Sequence, residues 1–267
     1  MTASGRLYGI YRVARNEFAR VFFHSLTPAI VLLLLFLAVL YGLGGTTAYT
    51  GDSSDAGLYY NIGQIFRLTS GYGVVIAAFI GVLSIAEERR AHSLNTILSK
   101  PIYRRELIIG KFLGLNCYML TIIAYGLLVA GLSLSLLYFT PTDPLDFVAK
   151  VAIYVLIAMV YTSVVMAIAM LISVIFNDLL ISTTLAVSFL FVDGFVGWSW
   201  LSPVVADFSP YIAMGHLFIG HAADLRDPVV TAGQWFSVNA PSLFFMIAAI
   251  ILVSLASMIV FTRSDNT

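Results

Sequence analysis

Long stretches without a charged side chain constrain this sequence more than any other feature. The last of them, residues 242–262, contains no Asp, Glu, Lys or Arg. A helix needs roughly 20 mostly apolar residues to cross a bilayer. Since 60% of the 267 residues are hydrophobic and only 10% are charged, one soluble core of this size cannot hide them from water. The sequence therefore predicts an integral membrane protein.

Six apolar runs are long enough to cross, so we predict an all-α fold with six transmembrane helices in a single domain over residues 1–267. The predicted spans cover residues 26–44, 68–86, 112–139, 151–176, 179–200 and 242–262. Six spans use about 120 residues, which leaves only loops, short helices and tails. No large soluble domain fits in the remainder.

Residues 5–23 precede the first span and are predicted to form an amphipathic helix in the membrane interface. Apolar side chains recur there at helical spacing, with Leu7 and Tyr11 on the apolar face and Glu17 away from it. The helix is basic, with Arg12, Arg15 and Arg20 suited to lipid headgroups. Because no soluble domain is expected, we prefer this interpretation to a surface helix of such a domain.

The distribution of Lys and Arg predicts the orientation. With the amino terminus in the cytoplasm, eleven of the fourteen basic residues lie inside, and only Arg67, Lys150 and Arg226 lie outside. Both termini are therefore predicted to be cytoplasmic. The expected location is the cytoplasmic (inner) membrane as a multi-pass protein, without a cleaved signal peptide.

Small residues recur at four-residue spacing in the second span, at Gly73, Ala77 and Gly81. Such a repeat lets another helix approach closely. Simple tolerance of small residues in lipid explains the pattern as well, so the sequence leaves both interpretations open.

The region between the fifth and sixth spans is apolar but interrupted. Pro203, Asp207 and Pro210 divide residues 201–221 into pieces too short to cross. We predict short extracellular or re-entrant helices here, against the alternative of an ordinary loop with buried apolar residues.

Asp193 is the only residue within a predicted span that is ionised at neutral pH. A carboxylate in the membrane is costly unless it faces a cavity, a partner or water, which makes Asp193 a candidate for a transport pathway. Its position near the outer end of the span also allows it simply to reach interfacial water.

Sequence motifs for catalysis are absent. Gly110-Lys111 is followed by Phe112, so the phosphate-binding pattern GxxxxGK[ST] does not occur, and neither HExxH nor GxSxG is found. His216 and His221 are spaced so that they do not share one helical face, and we predict no metal site. The chain is thus predicted to be no enzyme and to hold no cofactor. Its net charge of +0 gives no reason to expect nucleic acid as a partner.

The most charged connection, residues 87–111, joins the second and third spans and is predicted to be cytoplasmic. Its sequence from Glu88 to Arg104, ERRAHSLNTILSKPIYR, is followed by IIGK at residues 108–111. This stretch resembles E-x-x-x-G-T-L-E-x-L-L-x-x-P-x-x-R…GK of ABC-2 type transporter permeases. His92 stands where that family commonly has glycine, and Asn95 where it has glutamate. The order of elements agrees over nearly the whole chain.

The resemblance implies a permease subunit that pairs with a second copy or a paralogue, each seated on a separate ATP-binding cassette ATPase that holds ATP and magnesium. A coupling helix would lie at about residues 90–98, with an apolar triplet on one side. A role in topology alone would explain the arginines of this connection but not the triplet. The implied docking residues are Glu87, Glu88, Arg90, Ser93, Leu94, Ile97, Leu98, Pro101 and Arg104.

The main functional prediction is the membrane subunit of an ATP-driven exporter. The length and loop pattern also resemble permeases associated with maturation of copper enzymes such as nitrous-oxide reductase. An ion-coupled secondary transporter or channel is the alternative, and it would need ionisable groups or broken helices within the membrane. Asp193 is the only residue that supports this ion-coupled alternative. An intramembrane enzyme lacks a recognisable nucleophile and base.

Overall fold

The computed structural model describes residues 3–48, 55–90, 104–137, 141–176, 178–196, 209–219 and 224–263. Within these ranges the chain is helical and contains no β-strand, which confirms the all-α class. One π-helical turn, Val192–Val196, continues the sixth helix. The α-helices of the described ranges are α1 (Ala3–Phe22), α2 (Leu26–Ala48), α3 (Asp55–Arg90), α4 (Arg104–Leu137), α5 (Pro144–Ile175), α6 (Leu179–Phe191), α7 (Pro210–Phe218) and α8 (Ala232–Arg263).

Four helices of the described ranges, α3, α4, α5 and α8, are long and apolar enough to cross a membrane. A fifth span is present if α1 and the start of α2, which meet at 66°, form one bent span. The helix from Leu179 to Phe195 is apolar but shorter than a crossing requires. The described residues thus give a multi-pass membrane protein with four to five spans, where the sequence predicted six.

The crossing helices extend beyond the charge-free runs from which they were predicted. Helix α3 begins at Asp55 rather than at residue 68, and its buried face already includes Leu58, Ile62 and Ile65. Arg67 lies in the helix with its side chain exposed. A helix continues past a polar residue when its packing face remains apolar, which a search for uncharged stretches does not detect.

Helix α5 packs at the centre of the bundle and has a well-defined start. Asp143 is its N-cap and accepts hydrogen bonds from the backbone N–H groups of Leu145 and Asp146 at 3.0 and 3.3 Å. Pro144 occupies the first helical turn, where no intrahelical N–H bond is lost. Helix α5 ends at Ile175, and Asp178 caps α6 through the N–H of Leu180.

The small-residue repeat of α3 faces α5. A Cβ atom added at Gly81 would lie 3.1 Å from the backbone oxygen of Met166, and one added at Gly73 would lie 3.4 Å from Thr162 Cγ2. Ser173 Oγ then donates to the backbone oxygen of Val82 at 3.0 Å. Of the two interpretations of this repeat, the structure supports close helix approach.

The two ends of the bundle can be distinguished by the connection between α3 and α4. We call the end where α3 ends and α4 begins the loop end. Helix α1 lies there, with Gly9 against the Glu106 carboxyl group and Val13 against Gly110. The last turns of α8 reach the same end, since Met258 and Ile108 line one cleft. Helix α7 lies in the opposite half, with Phe218 against Phe66 near the start of α3.

Candidate functional site

The residues predicted to dock a partner are only partly within the described structure. Glu87, Glu88 and Arg90 belong to the last turn of α3, and Arg104 is the first residue of α4. The remaining predicted docking residues lie outside the described residues: Ser93, Leu94, Ile97, Leu98 and Pro101. The connection of residues 91–103 therefore joins two long helices at the loop end.

A buried group of polar side chains, which we call the ionic cluster, lies at the base of this connection. It consists of Glu17 from α1, Ser84 from α3 and Lys111 from α4. Lys111 is only 1% exposed, and its Nζ donates to the Ser84 backbone oxygen at 2.7 Å and to Ser84 Oγ at 3.1 Å. The same Nζ lies 3.3 Å from Glu17 Oε1. Ser84 Oγ completes the triangle by donating to Glu17 Oε1 at 2.7 Å.

Charge balance and hydrogen bonding make this cluster stable in an apolar setting. A buried ion left alone costs several kcal/mol, and good hydrogen-bond geometry is required to offset that cost. Glu17 Oε1 also accepts from Arg20 Nη2 at 2.7 Å, at the half-exposed edge of α1. The carboxylate is thus held from three directions, which fixes α1, α3 and α4 relative to one another.

Two glycines of α4 allow α1 to come close enough for this pairing. A Cβ atom at Gly110 would lie 2.6 Å from Val13 Cβ, and one at Gly114 would collide with the backbone oxygen of Ala14. Only glycine fits at either position. The Gly110-Lys111 pair thus has a structural explanation, since the glycine admits α1 and the lysine binds it.

The bend between α1 and α2 is also held by side chains. Thr27 Oγ1 donates to the Val21 backbone oxygen at 2.6 Å across the bend. The same hydroxyl lies 3.2 Å from the Tyr118 hydroxyl of α4, within hydrogen-bond distance. Helices α1 and α2 are therefore both attached to α4.

Helix α1 packs on the bundle through a polar side chain. Leu7 and Tyr11 of its apolar face are 68% and 61% exposed, which leaves this face available to lipid, whereas Glu17, which lies off that face, is buried against α3 and α4. Arg12 and Arg15 are exposed as predicted, and the Arg12 guanidinium lies 5.6 Å from the Tyr8 ring centroid.

Asp193 is placed on the π-helical turn after α6 and is almost completely buried. Its Oδ1 accepts from Ser209 Oγ at 2.6 Å, and its Oδ2 accepts from the backbone N–H of Tyr211 at 3.1 Å. Ser209 is the N-cap of α7 and also accepts from the Ile212 N–H. A carboxylate at a helix N-terminus is favourable. Asp193 is thus bonded to protein instead of reaching interfacial water, and its role in a transport pathway stays a prediction.

A second buried cation lies at the opposite end of the bundle. Lys150, predicted to precede the fourth span, lies inside α5 and is fully buried. Its Nζ bonds the Asp227 backbone oxygen at 3.1 Å and Asp146 Oδ2 at 3.2 Å, and lies 4.0 Å from the Tyr59 ring centroid. We call this group the lysine clamp, because it holds residues 224–231 against α3 and α5.

The segment held by the lysine clamp contains its own ion pair. Arg226 Nη2 lies 2.6 Å from Asp224 Oδ2, and its guanidinium lies 5.5 Å from the Phe218 ring centroid. Burial raises the pKa of Asp224, but the hydrogen bonds and charge of Arg226 outweigh it, so this pKa lies below its ordinary value. The pair therefore remains ionised at neutral pH.

Sequence reasoning missed the ionic cluster and the lysine clamp. Lys111 falls in the predicted connection of residues 87–111, although it stands between Gly110 and Gly114 at the entrance to an apolar run. Glu17 is the only acidic residue of α1. A lone acid in a basic helix and a lone lysine beside glycines were the available signals.

Comparison with known families gives one match of high coverage. The family model described as ABC-2 family transporter protein matches residues 11–266. The match begins within α1 and includes the ionic cluster, the connection of residues 91–103 and the lysine clamp. No curated protein is similar enough to the chain to be matched to it.

Proposed function

The chain belongs to the ABC-2 transporter family, and we propose that it is the membrane-spanning permease subunit of an ABC exporter driven by a separate ATPase. Family membership supports the permease assignment. We further propose the direction of transport, the coupling to a partner ATPase and the part of the molecule that carries out this coupling.

The observation that carries the proposal is the ionic cluster. Helices α3 and α4 are the two arms of the connection at residues 91–103, and Ser84 and Lys111 join those arms to each other and to Glu17 of α1. A force applied to the connection would therefore move three helices together. Rigid-body movement of packed helices is a common way to transmit a conformational change.

In this proposal the apolar triplet Leu94, Ile97 and Leu98 inserts into the ATPase, which alone binds ATP and magnesium. The chain itself is then not an enzyme. It forms a dimer with a second copy or a paralogue, and its loop end faces the cytoplasm. Exposed Arg12, Arg15 and Arg20 at that end support this orientation, since basic residues are enriched on the cytoplasmic side.

Placement in the cytoplasmic membrane follows from the same orientation. The narrower assignment to permeases of copper-enzyme maturation rests on loop pattern and length, and it stays a prediction.

Co-purification with the cognate ATPase tests the docking step. The double variant Leu94→Asp/Leu98→Asp should reduce the retained ATPase about tenfold or more, because carboxylates would have to enter an apolar cleft. Leu145→Asp is the matched control, since Leu145 is an exposed apolar residue near the start of α5, at the opposite end. Retention of the ATPase by the double variant at the control level would contradict the proposed docking.

A further inference from the structure

A cleft of about 200 Å³ lies between α4, α5 and α8, in the half of the bundle nearer the loop end. Phe112 and Leu113 of α4 line one side, Met170 of α5 lines another, and Ile251 and Leu255 of α8 line the third. The three helices are crossing helices, so the cleft lies among segments that are long and apolar enough to be in the bilayer.

The mouth of the cleft opens sideways from the bundle. Leu113, Ile251 and Leu255 are each about half exposed, whereas Met170 is buried. The medium beside these rim residues in a membrane is hydrocarbon. An apolar recess left empty would lose dispersion contacts, which an acyl chain can supply.

The wall of the cleft offers little to a polar ligand. Its polar side chains are two serines, and Ser257 Oγ is already bonded to the Val253 backbone oxygen at 3.0 Å. Ser254 Oγ is buried and has no hydrogen-bond partner within the described residues. A charged or strongly hydrated ligand would lose its water here without replacement, which favours a hydrocarbon chain.

Basic positions lie where such a chain would meet its headgroup. Arg105 stands one helical turn before Ile109, which lines the cleft, and Arg263 is the last residue of α8, beyond Met258. Both positions are at the loop end. Lys and Arg near a membrane surface attract anionic lipids by about 1 kcal/mol each.

We infer that this cleft binds one acyl chain of an anionic membrane phospholipid, with the lipid phosphate at the level of Arg105 and Arg263. Phe112, on the cleft, is adjacent in sequence to Lys111 of the ionic cluster. A bound lipid would therefore contact the turn of α4 that contains Lys111 of the ionic cluster. Any effect of the lipid on coupling rests on the proposed function, whereas lipid binding itself does not.

Photolabelling of the purified full chain in lipid nanodiscs tests the inference without an ATPase. The probe is phosphatidylglycerol carrying a diazirine on one acyl chain, compared with phosphatidylcholine carrying the same chain. We expect labels on residues 108–113 and 250–258, severalfold stronger with phosphatidylglycerol. Ser254→Phe should fill the cleft and remove most of the labelling. Leu252→Phe should not, because Leu252 is exposed on the same helix away from the cleft.

The labelling pattern of the unmodified chain shows whether the cleft binds the lipid, even if a variant folds poorly. Labels no stronger at residues 108–113 and 250–258 than around Leu132, which is exposed on α4 away from the cleft, would overturn the inference. Equal labelling by the two lipids would overturn the anionic preference. Ser254→Cys in a Cys117→Ser background is a further check. A disulfide-linked dimer would place a second copy in the cleft and contradict a lipid there. Because these nanodiscs contain no ATPase, failure here is separable from failure of the docking experiment.

Discussion

Lys111 Nζ lies 3.3 Å from Glu17 Oε1, and both side chains are buried although the residues are 94 positions apart in the sequence. The pair connects the first helix of the chain to one arm of the connection at residues 91–103. Removing either charge leaves the other buried, which is why the pair gives the sharpest predictions.

Lys111→Met should destabilise the protein by about 3 kcal/mol, because Glu17 would remain buried with only Arg20 and Ser84 as partners. Unfolding in mixed detergent micelles measures this loss. The double variant Glu17→Gln/Lys111→Met should recover part of it, since no uncompensated charge remains. Arg20→Met, at the half-exposed edge, should cost less than about 1 kcal/mol. If the loss in the double variant equalled the sum of the losses from Glu17→Gln alone and Lys111→Met alone, Glu17 and Lys111 would not be coupled.

Gly114→Ala should push α1 away from α4, because the added Cβ would collide with the Ala14 backbone oxygen. Gly126→Ala on the same helix is the matched control, since its Cβ would lie 3.9 Å from Thr69 Cγ2, an ordinary contact. The control should be neutral or stabilising by up to about 1 kcal/mol, because alanine favours helices over glycine. Equal melting temperatures for the two variants would contradict the close approach of α1.

Asp193→Ala and Ser209→Ala should each weaken the start of α7, by about 1–3 kcal/mol, because each removes the bond between Asp193 Oδ1 and Ser209 Oγ. The loss in the double variant should be smaller than the sum of the two single losses, since the shared bond cannot be lost twice. Thermal unfolding of the three variants provides the cycle. Full additivity would contradict the bond between Asp193 and Ser209.

Lys150→Met should loosen residues 224–231, because the bond to the Asp227 backbone oxygen and the contact with Tyr59 are lost. A hydrogen bond from a charged donor contributes about 1.5–3 kcal/mol, which corresponds to at least about tenfold faster local opening. Amide hydrogen exchange in this segment measures the change, and amides of α1 serve as an internal control. Unchanged exchange at residues 225–230 would rule out the lysine clamp.

Asp224 should contribute a pH-dependent part of the stability. Its pKa is depressed in the folded protein by Arg226, so its contribution is complete above the unfolded value of about 3.9 and is lost as pH falls through the lower folded value. Between about pH 5 and pH 3, the wild type should lose more stability than Asp224→Asn. Parallel pH profiles for the two proteins would contradict the ion pair.

Much of the fold could be predicted from the sequence because the bilayer imposes a simple length requirement. Apolar runs identified α3, α4, α5 and α8, and proline positions predicted the short helix α7. The bounds were less accurate, since α3 carries Arg67 on an exposed face and continues to Asp55. The described residues account for four to five of the six predicted crossings, since α6 and its π-helical turn are described only as far as Val196.

The candidate site was harder to predict because it depends on pairing between distant residues. A helical wheel of α1 places Glu17 off the apolar face, but it does not indicate that Glu17 is buried. Its burial follows only from the partner Lys111 on α4 and from the space left by Gly110 and Gly114. The same reasoning applies to Lys150, whose bond to Asp227 spans 77 residues of sequence. No local pattern contains either relationship.

Coupling between the ATPase and the far end of the bundle can be measured by hydrogen exchange of residues 224–235 in the complex of this chain with its cognate ATPase, compared with and without ATP and vanadate. Nucleotide trapping should change exchange at this opposite end in the wild type. The change should disappear in Glu17→Gln/Lys111→Met while the ATPase remains bound. An identical response in the double variant, or no response in the wild type with the ATPase bound, would contradict coupling through the ionic cluster.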